Sequence, residues 1–184
     1  GSILTPDGGT TADIQRRISI ATNTFAGMSR VWSNKALKRD TIIGIFNACV
    51  KSVLLYGSET WHMKQDSTRK LQAFVNRCLR RIIGFWWPRT ISNPRLWQLT
   101  NQKPIEKEIM HRKYKWIGHT LRKQPDEIAY SALQWNPQGT RNRGRPKMTW
   151  RRCVNQESKK SFNELKFLAS NRNMWKSFVD RLSS

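Results

Sequence analysis

The stretch at residues 41–57, TIIGIFNACVKSVLLYG, is apolar almost all the way round a helical wheel. A helix of that kind cannot lie on a surface with one side in water; it has to be sheathed by other helices. The sequence therefore predicts a bundle with this element as its central rod. Asp40 or Thr41 opens the rod and Gly57 ends it or loosens it.

The sheath is legible on both sides. Thr11 is placed to cap a helix over about 12–32, with Ile14, Ile18, Ala21, Phe25, Met28 and Val31 at helical spacing. Ser67 opens STRKLQAFVNRCLRRIIG, where Leu71, Phe74, Val75, Cys78, Leu79 and Ile82 keep the i, i+3, i+4, i+7 pattern. Ser92 and Pro94 mark a short helix start, and Pro104 begins PIEKEIMHRKYKWIGHTLRK, with Ile105, Ile109, Trp116, Ile117 and Thr120 toward a core. A short helical element is expected over 127–135, a helix capped by Thr149 over about 150–160, and one or two amphipathic helices beyond. The latter carry Phe162, Leu165, Leu168, Trp175, Phe178 and Leu182. ILTPDGG at 3–9 reads as a strand end running into a turn. The fold class expected is all-α: a helical bundle over 1–90 and a smaller basic helical lobe over 91–184 with an extended Arg-rich loop.

Charge narrows the function. Of the 184 residues, 34 are Lys or Arg and 12 are Asp or Glu, a formal charge of +22. Nine Trp residues and 38% hydrophobic residues exclude a disordered basic tail. A folded body with this charge repels itself, and phosphates that exchange their counterions for Lys and Arg relieve the repulsion. The expected partner is RNA or DNA, without a membrane: no apolar run approaches a membrane span. The rivals on charge are an anionic membrane surface, a ribosome-like assembly or an acidic protein partner. Cys49, Cys78 and Cys153 are odd in number and dispersed, which argues for a reducing compartment rather than a disulfide framework.

Three cationic strips stand out. At 100° per residue, Lys70, Arg77 and Arg81 share one flank of their helix, in a stretch without acids between Asp66 and Glu106 that holds eight basic residues. Arg112, Lys115, His119 and Arg122 line a second helix face. The third strip is the loop TRNRGRPKMTWRR, with Arg141, Arg143, Gly144, Arg145, Pro146 and Lys147 followed by Arg151 and Arg152. Pro146 keeps its chain extended and Gly144 lets the backbone lie close to a surface, so that Arg143 and Arg145 can enter a narrow groove, as in an AT-hook core. Arg151 and Arg152 sit at a helix start, where cations are unfavourable and a docked anion would relieve them. Trp86, Trp87 and Trp97 are either base-stacking platforms or packing residues of a small helical domain.

Catalytic patterns are missing from the sequence. The cysteines and His62, His111 and His119 show no metal-ligand spacing, and Glu106/Glu108 and Asp126/Glu127 do not form a working acid pair. The sequence carries no GxSxG, no phosphate-binding Walker loop and no paired aspartates of the polymerase kind. No cofactor is expected, and the chain reads as a binding module rather than an enzyme.

Four blocks carry a family resemblance: SVLLYGSETW (52–61), LQAFVNRCLRRIIGFWWPRTISN (71–93), RKYKWIGHTLRK (112–123) and LQWNPQGTRNRGRPKMTWRR (133–152). They resemble the region after the polymerase palm in non-LTR (LINE) retrotransposon reverse transcriptases, especially the RTE type. The opening GSILTPDGGTTADIQRRISIA resembles the segment just after the last palm strands. The likeness implies a thumb-like bundle gripping the template-primer duplex, then a C-terminal extension that handles RNA template or target DNA during target-primed reverse transcription. An RNA–DNA hybrid held by its backbone is the implied ligand, and the palm and fingers of the same polyprotein are implied partners. The implied setting is nuclear, or cytoplasmic as a ribonucleoprotein. The family's catalytic aspartates lie in the palm, before residue 1, and none carries over. The cysteine–histidine knuckle of some related elements has no counterpart here. A co-opted stand-alone module that binds nucleic acid or acidic partners is the alternative.

Overall fold

The structure, a computed structural model, describes residues 10–135, 144 and 149–183. The expected strand end at 3–9 and most of the 136–148 loop lie outside the described residues. Every regular element among the described residues is helical. The chain divides into two compact units, Gly1–Ile109 and Met110–Ser184. The division falls beyond residue 90, because Leu96, Ile105 and Ile109 belong to the first core.

In the first unit α1 (Thr11–Gly27) is followed by a one-turn α2 (Ser29–Trp32). The single helix expected over 12–32 is broken at Met28, whose ψ of 22° leaves the helical well, and Thr10 rather than Thr11 holds the N-cap position. The Trp32 indole then donates to the Phe25 carbonyl at 2.6 Å and stacks on the Phe25 ring, centroids 4.9 Å apart. Phe46 meets both rings edge-on. Three aromatic rings in these geometries form a compact apolar node, each pair adding about 1 kcal/mol beyond area burial.

The expected central rod is α3 (Arg39–Ile45), a π-helical stretch (Phe46–Lys51) and α4 (Ser52–Leu54). It is not buried all round. Ile42, Phe46, Val50 and Leu54 are enclosed, while Thr41, Gly44, Ala48 and Ser52 face water. Those four are small or hydroxylated and offer little apolar area to bury, so neighbours pack on the other side. Gly57, at φ 75°, turns the chain after the rod, a conformation that favours glycine. Trp61 follows, fully enclosed, its indole donating to Asp13 Oδ2 at 3.1 Å.

The amphipathic helix is α5 (Gln65–Ile83), which buries Leu71, Phe74, Val75, Cys78 and Leu79. It begins two residues before the expected Ser67, which lies buried within it. Burial pushes the Cys78 thiol up to about 12, so it behaves as an inert apolar side chain. The short α6 (Asn93–Thr100) starts as the sequence predicts, with Ser92 at the N-cap and Pro94 in the first turn. Asn76 joins it to α5: its Oδ1 accepts from the Trp97 indole and from Gln72 Nε2, both at 2.9 Å. Gln72 Oε1 in turn accepts from the Ile105 amide at 2.7 Å. Lys51, 4% exposed, is satisfied by Gln102 Oε1 at 2.7 Å and by the Glu108 carboxylate. A lone cation there would be costly, and the pair plus the amide removes most of that cost.

The helix α7 (Ile105–Leu121) contributes its first residues to the first unit and the rest to the second. The second unit adds α8 (Ile128–Gln134), α9 (Trp150–Ser158), α10 (Phe162–Ser170) and α11 (Arg172–Leu182). Its core gathers Tyr114, Ile117, Leu121, Leu133, Val154, Leu165, Trp175 and Phe178. Thr149 caps α9 as expected, accepting from the Arg152 amide. Asn171 caps α11, its Oδ1 accepting from the amides of Asn173 and Met174 at 3.0 and 3.2 Å. Replacing Asn171 with Ala leaves both donors without that partner and is expected to cost about 1 kcal/mol in urea unfolding.

Candidate nucleic-acid interface

On α5 the buried stripe leaves one flank to water. Lys70, Arg77 and Arg81 are all exposed there, at intervals of seven and four residues. Lys70 pairs with Asp66 at 2.7 Å, an exposed i, i+4 contact that solvent screens. Its hydrogen bond to Lys70 holds the Asp66 carboxyl below the usual range. Arg77 and Arg81 form no ion pair among the described residues.

The end of α5 adds what the helix lacks. Gly84, at φ 75°, is its C-cap, and the Phe85 amide donates to the Arg80 carbonyl at 3.0 Å, so the chain leaves the helix just before Trp86 and Trp87. Arg80 fixes the connector, with Nη2 donating to the Ile91 carbonyl at 3.2 Å and to Asn93 Oδ1 at 2.6 Å. Arg81 lies 5.9 Å from the Trp86 ring centroid, within cation–π range. Arg77, Arg80, Arg81, Trp86, Trp87 and Asn93 line one open groove of about 590 Å³, and among the described residues no acidic side chain stands in its wall. Trp86 is 58% exposed and Trp87 90%. Trp97, by contrast, is partly buried and bound to Asn76, so it is a packing residue.

The groove joins residues that helical periodicity treats separately. The 100° step finds Arg77 and Arg81 but says nothing of Arg80, whose role depends on Asn93, thirteen positions away. The signal available in the sequence is the glycine stop directly before FWWP, which forces the two indoles close to the last turn of a basic helix.

In the second unit the α7 face holds Lys115 and His119 exposed and Arg112 half-buried and partnered. Arg122 Nη1 donates to the Ala169 carbonyl at 3.1 Å, near the end of α10. Arg122 is exposed as a whole, and partial desolvation, then the nearby Arg172, lowers its pKa from the ordinary value. Arg122 is thus engaged in the fold as well as in the strip. Lys113, on the same helix but unsignalled by the pattern, is buried against Glu157, at 2.9 and 3.1 Å. At α9 both Arg151 and Arg152 are exposed, and the Arg151 guanidinium lies 4.3 Å from the Phe162 ring centroid, within cation–π range. Gly144 is exposed at φ 122°, and a Cβ there would meet nothing within 4 Å. Arg141, Arg143, Arg145, Pro146 and Lys147 lie outside the described residues.

Among the described residues no group of three or more His, Cys, Asp or Glu could hold a metal ion. No helix among them is long and apolar enough to cross a membrane. Cys49, Cys78 and Cys153 are all free thiols.

Residues 24–56 match a domain of unknown function, DUF6451. The matched stretch runs from the last turn of α1 to the end of the central rod and includes the Phe25–Trp32–Phe46 node and Lys51. No curated protein and no solved structure matches the chain.

Proposed function

We propose that this chain is a non-catalytic nucleic-acid-binding region of a retrotransposon reverse transcriptase, one that grips RNA template, RNA–DNA hybrid or target DNA through the phosphate backbone. The observation that carries the reading is the acid-free groove on α5, where exposed Arg77 and Arg81 stand beside exposed Trp86 and Trp87. Guanidinium groups supply charge-assisted donors for phosphate oxygens, and aromatic faces accept bases of any sequence. Backbone recognition of this kind follows shape and charge rather than base order, which suits RNA and A-form hybrids. The four sequence blocks resembling the post-palm region of RTE-type enzymes supply the biological setting.

The test is a salt titration of binding to a fluorescent RNA oligonucleotide and to an RNA–DNA hybrid. Four or more neutralised phosphates give a log-log slope of about −3 or steeper. A flat response, or preference for an acidic polypeptide over both nucleic acids, would overturn the reading in favour of a protein-interaction module.

A further inference from the structure

We propose that the groove at the end of α5 is a binding site for unpaired nucleotides, with Trp87 as the principal stacking surface and Arg77 as a phosphate contact. The inference rests on the proposed nucleic-acid function and narrows the ligand at this site to a single-stranded segment.

Exposure is the first observation. An indole that is 90% in water forfeits the burial that normally recommends a Trp, and Trp87 has no ring partner among the described residues. Its neighbour Trp86 is also mostly in water and is steadied on one side by Arg81. In a duplex the base faces are already stacked on one another. A projecting indole would meet only sugar and phosphate there and gain little. An unpaired base offers a free π-face of matching size, whatever its identity.

The second observation is the rigidity of the platform. Gly84 ends the helix in the left-handed region, and Arg80 ties the connector from α5 to the Ile91 carbonyl and the Asn93 amide oxygen. The backbone on both sides of Trp86 and Trp87 is therefore anchored, and less ordering is needed when a base docks. Arg80 is a positioning residue here. Arg77, exposed in the same wall and lacking an acidic partner, is the cation free to take the phosphate. Charge complementarity with a phosphodiester, in a groove wall without acids, is what selects a nucleic-acid strand over an apolar peptide.

The experiment compares the full chain with its Trp87→Ala and Trp87→Phe variants. The probes are a single-stranded oligo(U), the matching oligo(dT), a blunt RNA–DNA hybrid and an abasic phosphodiester of equal length. The site predicts that Trp87→Ala weakens both single strands by about tenfold, with the salt slope unchanged, because the variant removes stacking and leaves phosphate binding in place. Trp87→Phe recovers most of the loss, and affinity for the blunt hybrid and the abasic strand stays within twofold of wild type. If Trp87→Ala leaves single strands unaffected, or weakens hybrid and abasic strand equally, the stacking site is wrong even though the chain binds nucleic acid. If wild-type chain binds none of the four probes with a steep salt slope, the underlying function is wrong. An unchanged thermal melt for both variants, as expected for so exposed a side chain, keeps the comparison free of folding effects.

Discussion

The double substitution Arg77→Glu/Arg81→Glu is expected to weaken RNA binding by about 100-fold near 0.1 M salt and to flatten the salt slope by about two units. Each phosphate that goes without its cation takes away close to one unit of slope, equivalent at that salt to about tenfold in affinity. Both side chains are exposed on α5, away from the stripe that stays buried, so the fold is expected to survive the change. The control is Arg16→Glu/Arg30→Glu, two exposed arginines on α1 and α2 whose reversal lowers the net charge by the same amount. Only a groove-centred mode makes the α5 pair much more damaging than the control pair. Equal losses would mean that the overall field of a +22 chain attracts nucleic acid without a defined site on this helix.

Period and caps are local properties, so α5, α6 and α9 were legible in the sequence from Leu71–Leu79, Ser92–Pro94 and Thr149. Long-range pairings have no local trace. Nothing near Lys51 announces that Gln102 and Glu108 will satisfy it, and nothing near Asn76 announces Trp97. Apolar composition also misled at the central rod, because Gly44 and Ala48 count as apolar yet have too little side chain to demand burial. The candidate site shows the same division. Arg77 and Arg81 follow from the helical step, whereas their meeting with Trp86 and Trp87 depends on Arg80 holding a connector in place. The third cationic strip stays a sequence expectation at Arg141, Arg143, Arg145 and Lys147, which lie outside the described residues.

Gly118→Ala is expected to be the most damaging single-methyl change in the second unit, costing about 3 kcal/mol or more in urea unfolding. Gly118 is buried on α7, and the Trp175 indole lies so close above it that an added Cβ would fall inside the ring's van der Waals envelope. On helical propensity alone, Ala for Gly in a helix would stabilise by about 1 kcal/mol, so the sign of the result decides between propensity and packing. The ring has little room to yield. Its Nε1 donates to the Tyr114 carbonyl at 3.0 Å, and Tyr114 and Phe178 pack against it with centroids at 6.5 and 5.3 Å. Displacing it forfeits the hydrogen bond and part of the burial of a Trp that is 4% exposed, beyond the usual overpacking cost of about 1–3 kcal/mol. A second variant isolates the cause: in a Trp175→Leu background the clash is gone, and Gly118→Ala should become neutral or stabilising. That reversal is a coupling of several kcal/mol between two residues far apart in sequence, measurable by a double-mutant cycle. Additive effects in the cycle would mean that Trp175 does not cross α7 at Gly118.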